Sequence, residues 1–172
     1  MRPRRRTYQR GSDLEIALEI TLEEAFRGIT KEVQFRTYAK CSHCGGTGAE
    51  KGSNLVACDT CGGQGEIREQ KKTFFGSFSQ VKSCINCRGT GRMPKKPCSV
   101  CKSTGRLSAE NKVSVDILPG IQNNQVIKIK GRGEAGERGT AEGDLYIRIT
   151  VKPHNVFTRK DDDLIVKKNS MF

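Results

Sequence analysis

The sequence is organised around one short stretch, Cys41-Ser-His-Cys44-Gly-Gly-Thr-Gly48, which recurs three more times with little change. The later copies read Cys58-Asp-Thr-Cys61-Gly-Gly-Gln-Gly65, Cys84-Ile-Asn-Cys87-Arg-Gly-Thr-Gly91 and Cys98-Ser-Val-Cys101-Lys-Ser-Thr-Gly105. The shared pattern is Cys-x-x-Cys-x-Gly-x-Gly, and only the fourth copy departs from it, with Ser103 in place of the first glycine. Two residues between thiolates let both sulfurs reach one ion about 2.3 Å away, and the glycines permit the positive φ angles of such a tight turn.

The eight cysteines therefore predict two zinc ions per chain, each held by four thiolates. A site with four protein ligands is closed to water and substrate, so its role is structural. Redox-active Cys-x-x-Cys pairs and an iron–sulfur cluster are the alternatives, and four regular repeats favour zinc over both. His43 lies inside the first repeat, but eight cysteines already fill two sites, so we expect this histidine to face solvent.

Which cysteine pairs share an ion follows from the segment between the second and third copies. Residues 66–83 have the pattern of a β-hairpin with its turn near Gly76-Ser77, which brings Cys61 beside Cys84. The second and third pairs then share one ion, and the first and fourth pairs share the other. A sequential arrangement, first with second and third with fourth, is the competing hypothesis. The nested ligand sets are Cys41, Cys44, Cys98 and Cys101 for one ion, and Cys58, Cys61, Cys84 and Cys87 for the other.

The flanking segments are β-rich. Strict alternation of apolar and polar residues from Asp13 to Ile20 predicts a strand with one buried face. A capping box at Thr21–Glu24, with Gly28 as a stop, predicts a short helix from Leu22 to Arg27. Further strands are predicted around 33–37, 113–117, 126–129 and 145–151. The expected fold is mainly β, a small sandwich-like or barrel-like domain interrupted by a cysteine-rich hairpin module.

This pattern divides the chain into four segments. Residues 13–40 and 106–158 should form one β-domain, with the cysteine-rich region 41–105 inserted between two of its strands. Residues 1–12 contain five arginines within the first ten positions and are interpreted as a basic linker remnant. Residues 159–172 start a strand pattern at Leu164–Val166 that has no evident partner, as expected for a truncated second β-domain.

The composition narrows the class of protein. The formal charge of +12 on 172 residues falls to about +8 once eight thiolates hold two Zn²⁺ ions. No apolar run reaches the 18 or more residues of a membrane span, and no secretory signal is evident, so a cytoplasmic location is predicted. Such a location also counts against disulfides.

Four Cys-x-x-Cys-x-Gly-x-Gly repeats inserted between strands resemble the zinc-finger-like region of the DnaJ family of J-domain co-chaperones. The flanking motifs that agree are Arg10-Gly-Ser-Asp-Leu14, Leu118-Pro-Gly120, Gly131-Arg-Gly-Glu-Ala-Gly136 and Gly143-Asp-Leu145. The resemblance covers roughly residues 10 to 170. It implies a nested zinc pairing and a β-domain that binds non-native polypeptide for hand-over to a DnaK-type chaperone.

The chain also departs from that family. The His-Pro-Asp triplet of a J domain is absent, because His43 and His154 are followed by Cys44 and Asn155. Most of the second β-domain and the C-terminal dimerisation segment are also missing, so the family's homodimer is not expected here. We interpret the chain as a central fragment of such a co-chaperone.

The resemblance implies a hydrophobic groove for the client polypeptide. Carried over position by position, the groove residues are Leu14, Val33, Phe35, Val113 and Ile147. All five lie on the apolar faces of predicted strands, where an exposed side chain or strand edge accepts an extended peptide. The alternative is that they only fill the core of the β-domain.

Three other functions have less support in the sequence: nucleotide binding, catalysis and nucleic-acid binding. Gly131–Gly136 satisfies G-x-G-x-x-G, but a strand rather than a helix follows it, which argues against a nucleotide site. No catalytic set of residues stands out, so an enzyme is not expected. The runner-up is a zinc-ribbon-like nucleic-acid-binding protein, supported by the basic tail and by Phe74, Phe75 and Phe78 near Lys71 and Lys72. Nucleic-acid binding weakens steeply with salt, whereas apolar client binding does not.

Overall fold

The computed structural model describes residues 10–73 and 76–166, with the side chains of 71–73, 77 and 78 left aside. The strands are β1 (Leu14–Ile20), β2 (Ile29–Lys40), β3 (Leu55–Ala57), β4 (Glu66–Thr73), β5 (Gly76–Ser83), β6 (Arg92–Pro94), β7 (Arg106–Ile117), β8 (Val126–Ile129), β9 (Leu145–Val151), β10 (Phe157–Lys160) and β11 (Asp163–Val166). The helical elements are α1 (Leu22–Arg27) and a 3-10 turn (Glu137–Gly139). The predicted mainly β fold is confirmed. The arginines at positions 2–6, and the aromatic side chains at 74, 75 and 78 with Lys71 and Lys72, lie outside what is described.

The β-domain is built on a three-stranded sheet in the order β1-β9-β8. Strand β9 pairs parallel with β1, from Leu14 opposite Leu145 to Ile20 opposite Val151, and antiparallel with β8. Because β9 is the central strand, three of its apolar side chains are fully enclosed: Leu145, Ile147 and Ile149 are all 0% exposed. Strand β1 is an edge strand of this sheet.

The second sheet is a long antiparallel ribbon of β2 and β7, with twelve residues in each strand. Its register runs from Ile29 opposite Ile117 to Lys40 opposite Arg106. At the first end, Val33, Val113 and Val115 point into the core of the β-domain. The other end leads directly into Cys41 and out of Gly105, so the ribbon carries the cysteine-rich insert at its tip.

Helix α1 closes the core at the end of β1. Its N-terminus is the predicted capping box, in which the Glu24 N–H donates to Thr21 Oγ1 and the Thr21 N–H donates to Glu24 Oε2. The helix buries Ala25 and leaves Phe26 77% exposed. The buried core cluster consists of Ile20, Ala25, Val33, Val113, Val115, Ile117, Ile121, Leu145, Ile147 and Ile149.

Two details differ from the sequence-based expectation. The β4–β5 hairpin forms, but Gly76 and Ser77 are already part of β5, because Thr73 pairs with Gly76. The two residues between these strands, 74 and 75, lie outside the described part of the chain. The strand at Leu164–Val166 also has a partner: it is part of β11, which forms an antiparallel hairpin with β10. The β10 pattern is too short and too exposed to show in the sequence.

A partly exposed ion-pair cluster at Asp144 connects the ends of β1, β8 and β9. Its carboxylate accepts hydrogen bonds from Lys128 Nζ at 2.8 Å, from the Gly131 N–H at 2.9 Å and from Arg10 at 2.9 Å. The Lys128 ammonium, with the Gly131 N–H and Arg10, holds the pKa of Asp144 well below its ordinary value of 3.8. The folded state therefore favours the ionised carboxylate.

We expect Asp144→Asn to lower the melting temperature at pH 7 by more than it does at pH 3. A carboxyl group whose pKa is depressed by folding stabilises the protein above its unfolded pKa, near 4, and loses that contribution as the pH falls through its folded pKa. Thermal unfolding of variant and parent at each pH measures the difference. Asp162→Asn is the control, because that side chain is 97% exposed. An equal loss at both pH values would show that Asp144 does not act through its charge.

Candidate metal centres

Each cysteine repeat folds into the same knuckle. In every copy the backbone N–H of the last glycine donates to the sulfur of the second cysteine: Gly48 to Cys44, Gly65 to Cys61, Gly91 to Cys87 and Gly105 to Cys101, at 3.2 to 3.3 Å. These glycines have φ between 73° and 78°. Two earlier positions of the repeat, occupied by Gly45 and Gly46 in the first copy, also have positive φ. Arg88, Lys102 and Ser103 replace glycine at these positions in the third and fourth copies and keep the positive φ. The repeat thus encodes a backbone shape that directs N–H groups at sulfur.

The knuckles associate in two reciprocal pairs. The Cys41 N–H donates to Gly105 O and the Cys98 N–H donates to Gly48 O, both at 2.9 Å, which joins the first copy to the fourth. The second and third copies exchange the equivalent bonds: Cys58 N–H to Gly91 O and Cys84 N–H to Gly65 O. A Cβ on Gly105 would lie only 2.2 Å from Gly46 O, so the last glycine is required by close backbone approach as well as by φ. We call the first–fourth pair module 1 and the second–third pair module 2.

Within each module the four sulfurs converge. The two groups are Cys41, Cys44, Cys98 and Cys101 in module 1, and Cys58, Cys61, Cys84 and Cys87 in module 2, with all ligand atoms of a group within 4.8 Å of one another. The Sγ–Sγ distances include 3.8 Å for Cys44–Cys101 and 3.7 Å for Cys61–Cys87. Four sulfurs at about 2.3 Å from a tetrahedral ion lie about 3.8 Å apart, whereas a disulfide requires about 2.05 Å. The geometry fits two four-thiolate metal sites.

The pKa values of the cysteine thiols differ within each group. Burial raises the pKa of the Cys101 thiol to about 12. Burial also acts on Cys44, but hydrogen bonds from the backbone N–H groups of Gly48 and Gly46 outweigh it and lower that pKa to about 7. In module 2, burial likewise raises the pKa of Cys87 to about 11. Four thiolates within 4.8 Å of one another would concentrate negative charge, which a bound dication would offset.

A pair of hydrogen bonds at Glu50, which we call the His43–Glu50 bracket, lies beside the cysteine group of module 1. His43 Nε2 lies 2.5 Å from Glu50 Oε1, and Glu50 Oε2 accepts the Ser99 N–H at 2.8 Å. The hydrogen bond to His43, with the Ser99 N–H, lowers the pKa of Glu50 to about 2. The side chain of His43 is 31% exposed, so it reaches solvent and also contacts Glu50, a contact that the sequence did not predict. The bracket links the first knuckle to the fourth, and no periodicity in the sequence marks it.

The five predicted groove residues all pack on the main core cluster, to different extents. Ile147 is fully buried, and Val33 and Val113 are 7% and 9% exposed. Leu14, on the edge strand, and Phe35 are only partly buried. Phe35 and Val113 also line a cavity of about 210 Å³ between the β2–β7 ribbon and the loop that connects β8 to β9. The structure thus brings two of the five to an open surface feature.

Sequence reasoning missed the role of the segment that follows the G-x-G-x-x-G motif. This loop leads into the 3-10 turn at Glu137–Gly139 and then into β9, so no α-helix starts on the glycines. Instead, Glu137 and Arg138 contact both metal modules. Nothing in local periodicity indicates these contacts, because their partners are backbone carbonyls and arginines far away in sequence.

The fold and the two cysteine groups define a class of protein: a β-domain with an inserted four-repeat module that has two candidate metal sites. Residues 14–170 match the family model described as the DnaJ C terminal domain, and the chain belongs to that family. The lone α-helix among the described residues has six residues, and no described helix is long and apolar enough to cross a membrane.

Several bacterial proteins are similar to this chain. The chain is 44% identical over 156 residues to "Chaperone protein DnaJ" of Psychrobacter arcticus, covering 91% of this chain and 41% of that protein. Proteins of the same name from Fusobacterium nucleatum subsp. polymorphum and Clostridium beijerinckii are 42% and 43% identical, covering 93% and 95% of this chain and 41% and 43% of theirs. The chain spans about two fifths of the length of these curated relatives. All three relatives are named as chaperones.

Proposed function

We propose that this chain binds non-native polypeptides through its β-domain and passes them to a DnaK-type chaperone, while two zinc ions hold the cysteine-rich insert in shape. Membership of the DnaJ C-terminal domain family supports this function. In this proposal the client-binding unit is 13–40 with 106–158, the zinc-binding unit is 41–105, residues 1–12 are a linker, and residues 159–172 begin a second β-domain.

Zinc is the proposed ion because the ligands are all thiolates. A tetrahedral four-sulfur site selects zinc or iron–sulfur chemistry over harder cations such as Mg²⁺ and Ca²⁺. The knuckles enclose Cys58, Cys84 and Cys87 to 1% exposure or less, as expected for a closed structural site. Bound zinc would supply folding free energy to the insert, with no position left for substrate.

The observation that carries client binding is the cavity at Phe35. This half-buried aromatic side chain and Val113 line an opening of about 210 Å³ whose other lining is mainly polar and includes Lys40, Arg132 and Glu142. The ring of Phe35 can contact an apolar client side chain at this mainly polar opening, while the client backbone pairs with a strand edge, as in β-strand addition. Strand β1 is at the edge of the three-stranded sheet, and both strands of the β2–β7 ribbon are edge strands, so each has a side on which a client strand could pair.

We expect Phe35→Ser to weaken the binding of an extended, apolar model peptide by about tenfold, because an aromatic contact in a desolvated pocket contributes about 1–2 kcal/mol or more. Fluorescence anisotropy of a labelled peptide gives the affinity, and thermal unfolding of the same sample reports on the fold. Both metal ions should remain, since the cysteine clusters are separate from the core cluster.

Phe26→Ser is the matched control, because Phe26 is a phenylalanine of the same domain that is 77% exposed on α1. It should leave both peptide affinity and melting temperature nearly unchanged. Unchanged affinity with a large loss of stability in Phe35→Ser would assign Phe35 to the core. Loss of affinity in Phe26→Ser alone would move the binding surface to α1.

A further inference from the structure

The turn at Glu137–Gly139 belongs to the β-domain but contacts both metal modules. The Arg138 backbone N–H donates to Thr104 O at 3.0 Å, and its Nε donates to Ser103 O at 3.2 Å. Both acceptors are in the fourth knuckle, which is part of module 1. Arg138 Nη1 donates to Asn86 O at 2.8 Å, in the third knuckle of module 2. One guanidinium therefore bridges the two modules.

The neighbouring Glu137 adds an ionic connection. Its carboxylate accepts a hydrogen bond from Arg88 in the third knuckle, and another at 2.8 Å from Arg106 Nη2 at the start of β7. Although burial raises the pKa of Glu137, the two arginines together lower it. The side chains of Glu137 and Arg106 are 24% and 22% exposed, so water screens this pair less than a surface ion pair.

The remaining link between the modules is slender. The chain enters and leaves module 2 through β3 and β6, an antiparallel pair of three residues each. This two-stranded connection continues to the bridge between Ala49 and Pro97 through hydrogen bonds from the Lys95 N–H to Asn54 O and from the Glu50 N–H to Lys96 O. Two-stranded ribbons twist and bend more readily than larger sheets. Module 1 differs, because the long β2–β7 ribbon leads directly into it. The orientation of module 2 therefore depends on contacts beyond its own connection.

The backbone of Arg138 suggests that these contacts hold the turn in place. Its φ of 49° and ψ of 45° lie in the left-handed region, which residues with a Cβ adopt at an energetic cost. Such a conformation persists where the surrounding structure fixes it. Here the fixing contacts are the carbonyl groups of the third and fourth knuckles.

We propose that Glu137 and Arg138 form a latch that fixes module 2 against module 1 and the β-domain. When the latch is broken, module 2 swings about the β3–β6 ribbon, while module 1 keeps its place on the β2–β7 ribbon. This inference goes beyond client binding, since it requires neither a client nor a partner chaperone. It also gives a role to the loop that contains the G-x-G-x-x-G motif.

The test is a distance measurement in the zinc-loaded chain. Spin labels are attached through non-canonical amino acids, because thiol reagents would attack the cysteines. One label replaces Ser114, exposed on β7, and the other replaces Ile85, 88% exposed at the tip of the third knuckle. In Glu137→Gln with Arg138→Gln, double electron–electron resonance should show a Ser114–Ile85 distance distribution about twofold wider than in the parent, because module 2 gains a hinge motion.

Two controls make the measurement specific. Arg132→Gln removes an exposed arginine from the same loop and should leave the distribution unchanged. Labels at Ser114 and Val100, which is 50% exposed in the fourth knuckle, should keep their narrow distribution in the double variant. Should the double variant lose zinc, Arg138→Lys is the second variant, since it keeps the charge but loses the bridge to two carbonyls.

An unchanged Ser114–Ile85 distribution in a variant that retains two zinc ions would overturn the proposal. Equal broadening for both label pairs would overturn it as well, because the whole insert would then move as one body. Selective broadening at Ile85 is the result that supports the latch.

Discussion

Replacing Cys58 and Cys84 together by serine should lower the zinc content from two ions per chain to one. Both cysteines belong to module 2, and their sulfurs lie 3.9 Å apart. Loss of two of four thiolates removes the charge and the geometry that hold the ion. The ion in module 1 should remain, because no ligand is shared between the two groups. Elemental analysis of the purified variant measures the stoichiometry.

A second double variant separates the nested arrangement from the sequential one. Cys41→Ser with Cys58→Ser removes one ligand from each module, so the nested arrangement predicts that both sites are damaged. In a sequential arrangement the same two cysteines would share one ion, and the other site would survive intact. Retention of one tightly bound zinc in this variant would therefore contradict the grouping seen in the structure.

The loss of metal should unfold the affected module and spare the β-domain. Structural zinc contributes about 10–16 kcal/mol of apparent binding free energy in small zinc-finger peptides, and a module of two knuckles has little apolar core to replace it. The β-domain has its own buried cluster of ten residues, so its strands should stay protected. Hydrogen exchange should show fast exchange at the module 2 knuckles and slow exchange in β9. Rapid exchange throughout β9 would mean that the domain depends on the metal.

Much of this fold is encoded by local patterns, which is why the sequence predicts it. The capping box at Thr21–Glu24 specifies α1 with the bounds that the structure shows. Strict alternation identifies β1, and the strand predicted at 145–151 is β9. The hairpin at 66–83 places Cys61 beside Cys84, and the structure groups the cysteines in the same way. Each of these signals requires only a few adjacent residues.

What the sequence does not predict depends on long-range contacts. The parallel pairing of β1 with β9 joins residues about 130 positions apart, and alternation alone cannot choose such a partner. The His43–Glu50 bracket and the Glu137–Arg138 latch combine hydrogen bonds to backbone groups, which carry no residue-specific signal, with side-chain pairs such as Arg88–Glu137 that join residues far apart in sequence. Alternation also cannot tell a core residue from a groove residue, since both lie on the apolar face of a strand.

Ile147→Ala should lower the free energy of unfolding by about 2–5 kcal/mol, the usual cost of truncating a fully buried aliphatic side chain. Ile147 is 0% exposed on the central strand β9, between β1 and β8, so the missing carbons would leave a cavity in a close-packed region. Chemical denaturation measures the loss. Ile165→Ala is the control: Ile165 is 45% exposed on β11, and its truncation should change stability little.

The same variant decides whether Ile147 belongs to the client groove. If its role is packing alone, the folded fraction of Ile147→Ala should bind a model peptide as the parent does, in contrast to Phe35→Ser. Weakened binding at unchanged stability would instead assign Ile147 to the groove and require the sheet to open there. The two side chains share an apolar pattern in the sequence, but only Phe35 lines the cavity beside β2. Exposure within the folded domain, rather than hydrophobicity, should therefore decide which residue meets the client.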